Sequence, residues 1–211
     1  MDITALIPVK RLSQAKSRMR PDLGQDTAAL VLAMLQDVAT AVQACAYVSD
    51  TIVVTDDPDI CDAAAALGAQ VWPDGPEPGL NAALFAAAAR IRRSRPDAML
   101  VFQPADCPAI TGEDFAALAE ACDPRRPTFV ADAEATGTTT AALPPGILRS
   151  PRYGPQSRAA HLDDGWVELS GPRWRRMGRD VDRLADLRAV GPLGSGSCTR
   201  SWLSQRAPGG P

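Results

Sequence analysis

TIVVTDDPDICDAAAALGAQVW, residues 51–72, sets the fold class. Thr51–Thr55 is short and β-branched, the pattern of a buried strand. Asp59–Leu67 reads as a helix that Gly68 stops, and Gln70–Trp72 as a further short strand. Strand, helix and strand in so few residues form a unit whose strands run parallel. The same rhythm extends in both directions. Upstream, Thr4–Val9 reads as a strand and Asp26–Ala46, rich in Ala and Leu with an acidic start, as a long helix. Downstream, the loop PDGPEPG (73–79) precedes a helix over Leu80–Arg93, a strand over Ala98–Phe102, a helix over Gly112–Cys122 and a strand over Thr128–Ala131. Strands alternating with helices predict a single-domain, three-layer α/β/α fold with a mostly parallel sheet.

After Thr136 the rhythm changes. A strand is expected over Thr136–Ala142 and helices over Gln156–Asp164 and Arg183–Val190. The Gly-, Ser- and Pro-rich stretch from Gly191 is expected to be mobile, so the domain is drawn at 1–195 with a tail at 196–211. There are no repeats and no linker.

At 211 residues and 45% hydrophobic, the chain can bury a real core, and its 5% aromatic content makes that core mostly Ala, Val and Leu. Five widely spaced cysteines without a C-x-x-C pair argue against a disulfide framework or zinc site and for a reducing compartment. The apolar run of MDITALIPVKR is too short for a signal peptide, and its charges stand on the wrong side. No segment reaches the ~20 apolar residues of a membrane span. The expectation is a soluble, cytoplasmic protein.

Charge is uneven. Residues 1–20 carry +4, residues 21–144 carry −12, and residues 145–211 carry +5. An acidic middle with few aromatics excludes a nucleic-acid face. A small polyanion held where the two basic ends converge fits better. The chain has 20 arginines but only two lysines, Lys10 and Lys16, both in PVKRLSQAKSRMR (8–20) beside Arg11, Arg18 and Arg20. A compact ammonium on a flexible stem can follow a phosphate through a reaction as a point charge, which a planar guanidinium does less well.

In an open α/β sheet, ligands sit beyond the carboxyl ends of the strands. Here the strand ends run into Lys10-Arg11, Asp56-Asp57, the PAD of 104–106, and Asp132. Such a rim, mixing cations and carboxylates, suits phosphates with a divalent metal. Later in the chain Asp180 and Asp182 form D-V-D, and in an extended segment the period of two puts both carboxylates on one face. The competing reading is that they pair with Arg175, Arg176 and Arg179. Walker A and G-x-G-x-x-G loops are absent. His161 is the only histidine, which removes His-pair metal motifs and disfavours a Ser-His-Asp triad; its place on a helix suggests a structural role.

IPVKRLSQAKSRM, GLNAAL (79–84), PADCP (104–108), FVAD…TGT (129–138), PRYGPQS (151–157) and DVDRLADL (180–187) together resemble the phospholactate/phosphoenolpyruvate guanylyltransferases of coenzyme F-420 biosynthesis. That resemblance, running from residue 5 to about 195, implies the GT-A-like nucleotidyltransferase fold shared with the molybdenum-cofactor guanylyltransferases. It implies GMP transfer from GTP to a phosphorylated three-carbon acid, with pyrophosphate released. It also implies magnesium on Asp106, Asp180 and Asp182, and a triphosphate among Lys10, Arg11, Lys16 and Arg18, with Lys10, Lys16 and Asp106 as catalytic groups. Asn81 would lie near the nucleoside, and Thr138, Gly154 and Ser157 would meet the acceptor. Arg152 is added as a nearby cation able to grip a carboxylate in a fork. The acceptor phosphate is already a nucleophile, so no general base is needed.

Departures from the family pattern are Ala135, where glycine is frequent, Tyr153 for phenylalanine, Arg183-Leu184 for Thr-Pro, and Cys107 for leucine. They leave the acceptor open among phosphoenolpyruvate, 2-phospholactate and 3-phosphoglycerate; a composition of actinobacterial style tips the expectation to phosphoenolpyruvate. Hand-over of the labile product to the next transferase of the pathway is left open. Competing readings are a molybdopterin or sugar-phosphate nucleotidyltransferase, a glycosyltransferase, or a non-catalytic nucleotide-binding module. The last would predict loss of the metal carboxylates, and all three are present.

Overall fold

A computed structural model describes residues 2–75 and 79–206, so part of the loop 73–79 and the end of the tail, 207–211, lie outside the described residues. In chain order the elements are β1 (Ile3–Pro8), α1 (Arg20–Leu23), α2 (Asp26–Gln43), β2 (Val48–Val54), α3 (Pro58–Ala66), β3 (Gln70–Trp72), α4 (Leu80–Ser94) and β4 (Met99–Phe102). They continue with α5 (Gly112–Ala121), β5 (Thr128–Ala131), β6 (Thr138–Leu143), α6 (Ser157–Asp163), β7 (Val167–Glu168), α7 (Leu184–Val190) and α8 (Ser197–Ser204). The strands make one sheet in the order β3-β2-β1-β4-β6-β5-β7. β1 pairs in parallel with β2 and β4, β2 with β3, and β5 with β7, while β6 runs antiparallel to β4 and β5. The expected mostly parallel sheet is the observed one.

Each face of the sheet has its own core. Along β1, Ile3, Ala5 and Ile7 pack toward α2, α3, α5 and α7, with Met34, Ile60, Phe115 and Leu187. Leu6 turns the other way and joins Ile52, Leu100 and Phe102 under the Ala83–Ile91 face of α4. Alternate residues therefore serve opposite layers, as the period of two requires. Helix ends obey their caps. The Asp57 carboxylate accepts the N–H groups of Asp59 and Ile60 at the start of α3, and Thr111 with Asp114 closes a capping box on α5.

The topology locates the site. From β1 the chain steps outward to β2 and β3, then crosses back to place β4 on the other side of β1. Ligands in such sheets bind at this reversal, outside the carboxyl ends of the central strands. Because β6 is antiparallel to β4, with Phe102 opposite Ala141, its first residues Thr138 and Thr139 lie at that same rim.

Within the stretch drawn as a tail the structure places a further helix. Ser197–Ser204 forms a helix docked on α2. The buried carboxylate of Asp37, on α2, accepts the N–H groups of Cys198 (2.9 Å) and Thr199 (2.8 Å). A helix start needs acceptors for its free N–H groups, and here one comes from another helix. Gly196 allows the approach, since a Cβ there would stand 2.1 Å from Asp37 Cγ. The small residue at 196 thus permits close docking. Two further elements, α1 and the two-residue β7, are too short for a periodic signal.

Candidate active site

The residues after β1 fold into a compact loop. Asp57 Oδ2 accepts Leu12 N–H at 2.8 Å, tying the loop to the end of β2, and Arg20 donates to the Leu12 carbonyl. Lys16 takes φ +47, a left-handed conformation that costs a non-glycine residue of order 1 kcal/mol and recurs at functional sites. The backbone so bent sends the Lys16 side chain inward. Its Nζ stands 2.7 Å from Asp106 Oδ2 and 2.7 Å from Asp182 Oδ1. Arg18 Nη1 lies 3.5 Å from Asp182 Oδ2 at the open edge.

The three aspartates come from two distant segments. Asp106 lies just past β4. Residues 180–182 run beside it, held by Val181 N–H donating to the Asp106 carbonyl at 2.9 Å. Val181 is fully buried, and the flanking Asp180 and Asp182 face the cleft. One oxygen from each of Asp106, Asp180 and Asp182 lies within 4.8 Å of the other two. An all-oxygen, carboxylate donor set fits a hard divalent cation. Burial, with Asp106 and Asp182 nearby, pushes Asp180 up to about 7. Burial opposes ionisation of Asp182 too, but Lys16 and Arg18 hold it below the usual carboxylate range. Burial works against the Lys16 ammonium, yet Asp106 and Asp182 keep it charged. The alternative pairing of the D-V-D with Arg175, Arg176 or Arg179 does not occur among the described contacts: Arg176 grips Asp114 at 2.8 Å.

These groups line a cleft of about 450 Å³ that Lys10, Gln14, Lys16, Ser17, Arg18, Leu80, Pro104, Ala105, Thr138, Thr139, Tyr153 and Gly154 share with the three aspartates. Of the residues singled out in the sequence, it brings together Lys10, Lys16, Arg18, Asp106, Asp180, Asp182, Thr138 and Gly154. Four others do not line it. Arg11 is exposed beside Asp74. Ser157 is buried, and its carbonyl accepts the Nδ1–H of His161 at 2.8 Å. Asn81 is bonded twice to the backbone of Tyr153. Arg152 departs from its expected place: its guanidinium forks onto Asp164 at 3.1 and 3.2 Å, because α6 ends there and offers a carboxylate nearer than the cleft.

Asp132, expected at the rim, accepts the N–H groups of Thr136 and Gly137 within its own loop. In that loop Ala135 adopts φ +55, a left-handed conformation that glycine takes without strain. His161 is structural. It is fully buried against Phe129 and Trp166, its Nδ1 lies 3.0 Å from Thr138 Oγ1, and its Nε2 accepts the Arg152 N–H at 3.0 Å.

Tyr153, read from the sequence as lying near the acceptor pocket, is a cleft wall, whereas sequence reasoning missed Thr139 and the buried Thr140–Gln103 hydrogen bond of 2.7 Å beneath the cleft. Gln103, a polar residue closing the apolar run AMLVF just ahead of PAD, was the available signal.

Residues 3–166 match the family described as "Guanylyl transferase CofC like". The chain is 42% identical over 203 residues to a phosphoenolpyruvate guanylyltransferase of Thermomonospora curvata, covering 96% of this chain and 89% of that one. It is 41% identical over 212 residues to the enzyme of that name from Streptomyces avermitilis, covering 100% and 98%. Among solved structures, a nucleotidyl transferase from Methanothermobacter aligns with TM-score 0.64 at 19% identity, covering 91% of this chain and 97% of that one. A 4-diphosphocytidyl-2C-methyl-D-erythritol synthase aligns with TM-score 0.59 at 15% identity, covering 91% and 98%. These two likenesses bear on the fold alone, which is of the GT-A-like type. The catalytic class rests on the family match: with a β1 loop rich in cations facing three converging carboxylates, the chain is a nucleotidyltransferase and belongs to the CofC-like guanylyl transferase family.

Proposed function

We propose that this protein transfers GMP from GTP to phosphoenolpyruvate, with release of pyrophosphate, in the biosynthesis of coenzyme F-420. The observation that carries the reading is the meeting of Lys10, Lys16 and Arg18 with Asp106, Asp180 and Asp182 in one cleft. Relatives named phosphoenolpyruvate guanylyltransferase over nearly the whole chain favour that acceptor.

Lys10 and Arg18, at the open side, meet the non-bridging oxygens of the triphosphate. Lys16, deeper, sits where it can pass from the carboxylates to the phosphate under attack. Asp106, Asp180 and Asp182 would hold a divalent cation such as magnesium, whose charge would offset that of the triphosphate and of the pyrophosphate leaving group. The Thr138 hydroxyl and the backbone at Gly154 receive the acceptor on the opposite wall, over the start of β6. The acceptor phosphate is ionised at neutral pH, so the protein aligns its oxygen with the α-phosphorus and abstracts no proton. That agrees with a lone histidine committed to packing.

The test is incubation with GTP, magnesium and each of phosphoenolpyruvate, 2-phospholactate and 3-phosphoglycerate, monitoring pyrophosphate. Release with phosphoenolpyruvate is expected; release with none of the three overturns the reading, and equal use of ATP removes the guanine assignment. Asp182→Asn should abolish turnover with the fold intact, and full activity in that variant would reduce the D-V-D to a structural role.

A further inference from the structure

Asn81 stands in the first turn of α4, and both ends of its carboxamide are in use. Nδ2–H donates to the Tyr153 carbonyl at 2.9 Å, and Oδ1 accepts the Tyr153 N–H at 2.9 Å. The side chain thus pairs with one residue's backbone as a neighbouring strand would. Two more groups grip the same turn. His161 Nε2 accepts the N–H of Arg152 at 3.0 Å. The Tyr153 hydroxyl lies 3.0 Å from the Thr139 carbonyl and 3.2 Å from the Phe102 carbonyl, to which it donates where the β4–β6 ladder ends. Residues 152–153 are therefore anchored from α4, α6 and the sheet together. The next residue, Gly154, takes φ +136, which only glycine adopts without strain, and forms the cleft wall with Tyr153.

We infer that Asn81 is a positioning residue for the acceptor, setting the depth of the Arg152–Gly154 turn, and not a ligand of the nucleotide. The inference rests on the proposed reading that the acceptor lies against Thr138 and Gly154. Its neighbour Leu80 lines the cleft, so the same clamp fixes the acceptor turn to the start of α4.

The experiment compares Asn81→Ala and Asn81→Asp with wild type in the full chain. GTP binding is measured by calorimetry with magnesium and no acceptor, and the KM for phosphoenolpyruvate at saturating GTP. Asn81→Asp keeps the shape of the residue and its acceptor for Tyr153 N–H, but turns a carboxylate oxygen toward the Tyr153 carbonyl. Loss of two hydrogen bonds of ordinary strength predicts a rise in that KM of about 10- to 100-fold. The GTP dissociation constant should stay within about twofold of wild type, which a lost nucleotide contact of even 1 kcal/mol would exceed. Weakened GTP binding with an unchanged acceptor KM would overturn the inference and make Asn81 a nucleotide ligand.

Amide hydrogen exchange at Arg152 and Tyr153 reads the clamp without substrate. Faster exchange in Asn81→Asp supports it, and unchanged exchange overturns it. Failure of wild type to use any of the three acids would instead overturn the functional reading, leaving the exchange result to judge the clamp.

Discussion

Replacing Lys16 by methionine keeps the length of the side chain and removes the ammonium that lies 2.7 Å from both Asp106 and Asp182. Breaking a fully buried ion pair costs about 3–5 kcal/mol, whereas exposed pairs contribute about 0–1. Lys16 is 10% exposed, but its partners are 27% and 45% exposed, so water takes up part of the loss. A cost of about 2–3 kcal/mol is expected between those limits. At about 2–4 °C per kcal/mol for a chain of this size, the melting temperature in chelator at pH 7.5 should fall by about 4–12 °C.

The deficit should also depend on pH. Asp180, pushed up to about 7 by burial and by Asp106 and Asp182, loses with Lys16 a cation that offsets those causes, so its folded-state pKa moves further above the unfolded one. Stability from such groups is present below the unfolded carboxylate value near 4 and is lost as pH rises through the raised value. The gap between variant and wild type should therefore narrow as pH is lowered from 7.5 to 5. Millimolar magnesium should raise the melting temperature of the variant more than that of wild type, because no ammonium competes for the carboxylates. Pyrophosphate release should fall by about 100-fold or more, the scale for losing a positioned charge at a transferring phosphoryl group. A variant that melts within about 1 °C of wild type at every pH, against the ion-pair cost above, would refute the reasoning. It would mean that solvent, not Lys16, neutralises the cluster.

Asp37→Ala removes the buried acceptor of two N–H groups at the start of α8. It should cost about 1–3 kcal/mol, mostly as local opening of that helix. Hydrogen exchange over 197–204 and tryptic cleavage at Arg200 should quicken while pyrophosphate release stays near wild type; unchanged protection would show that apolar packing alone holds α8. His161 is a pH probe. Burial pushes its pKa down to about 4 from the ordinary 6.5, so the unfolded chain takes up a proton between those values and the folded protein does not. Stability should fall as pH drops from 6.5 to 4, by at most about 3 kcal/mol. Denaturant titrations across that range should show a shallower slope in His161→Gln, and identical slopes would place the acid sensitivity on carboxylates.

Much of the site was readable because its parts obey short-range rules. PAD after an apolar run places a carboxylate beyond a strand end, and D-V-D puts two on one side of an extended segment. The loop after β1 was readable as a cation cluster, because an arginine-rich chain keeps its two lysines there. Arg152 and Asn81 were less readable. Each is a polar side chain close to the cleft in sequence, but whether it faces a ligand or a neighbouring loop depends on which partner is nearer. Asp164, at the end of α6, takes Arg152, and the backbone of Tyr153 takes Asn81. The docking of α8 was hidden for the same reason. GSGS is a weak helix start by itself, and its cap comes from Asp37, 161 residues earlier than Cys198 in the chain.

The order of residues was enough to fix the alternation of strands and helices, the mostly parallel sheet, and the kinds of charge that reach its rim. Hydrophobic period, turn residues and strand ends act over a few residues, and those rules need no knowledge of distant partners. It took the packed molecule to reverse β6, bringing Thr138 to the rim, and to bridge Asp106 and Asp182 through Lys16. Packing also tied Asn81 to the turn at Tyr153. Those outcomes depend on hydrogen bonds and ion pairs between groups 72 to 166 residues apart, whose encounter is set by how the layers pack.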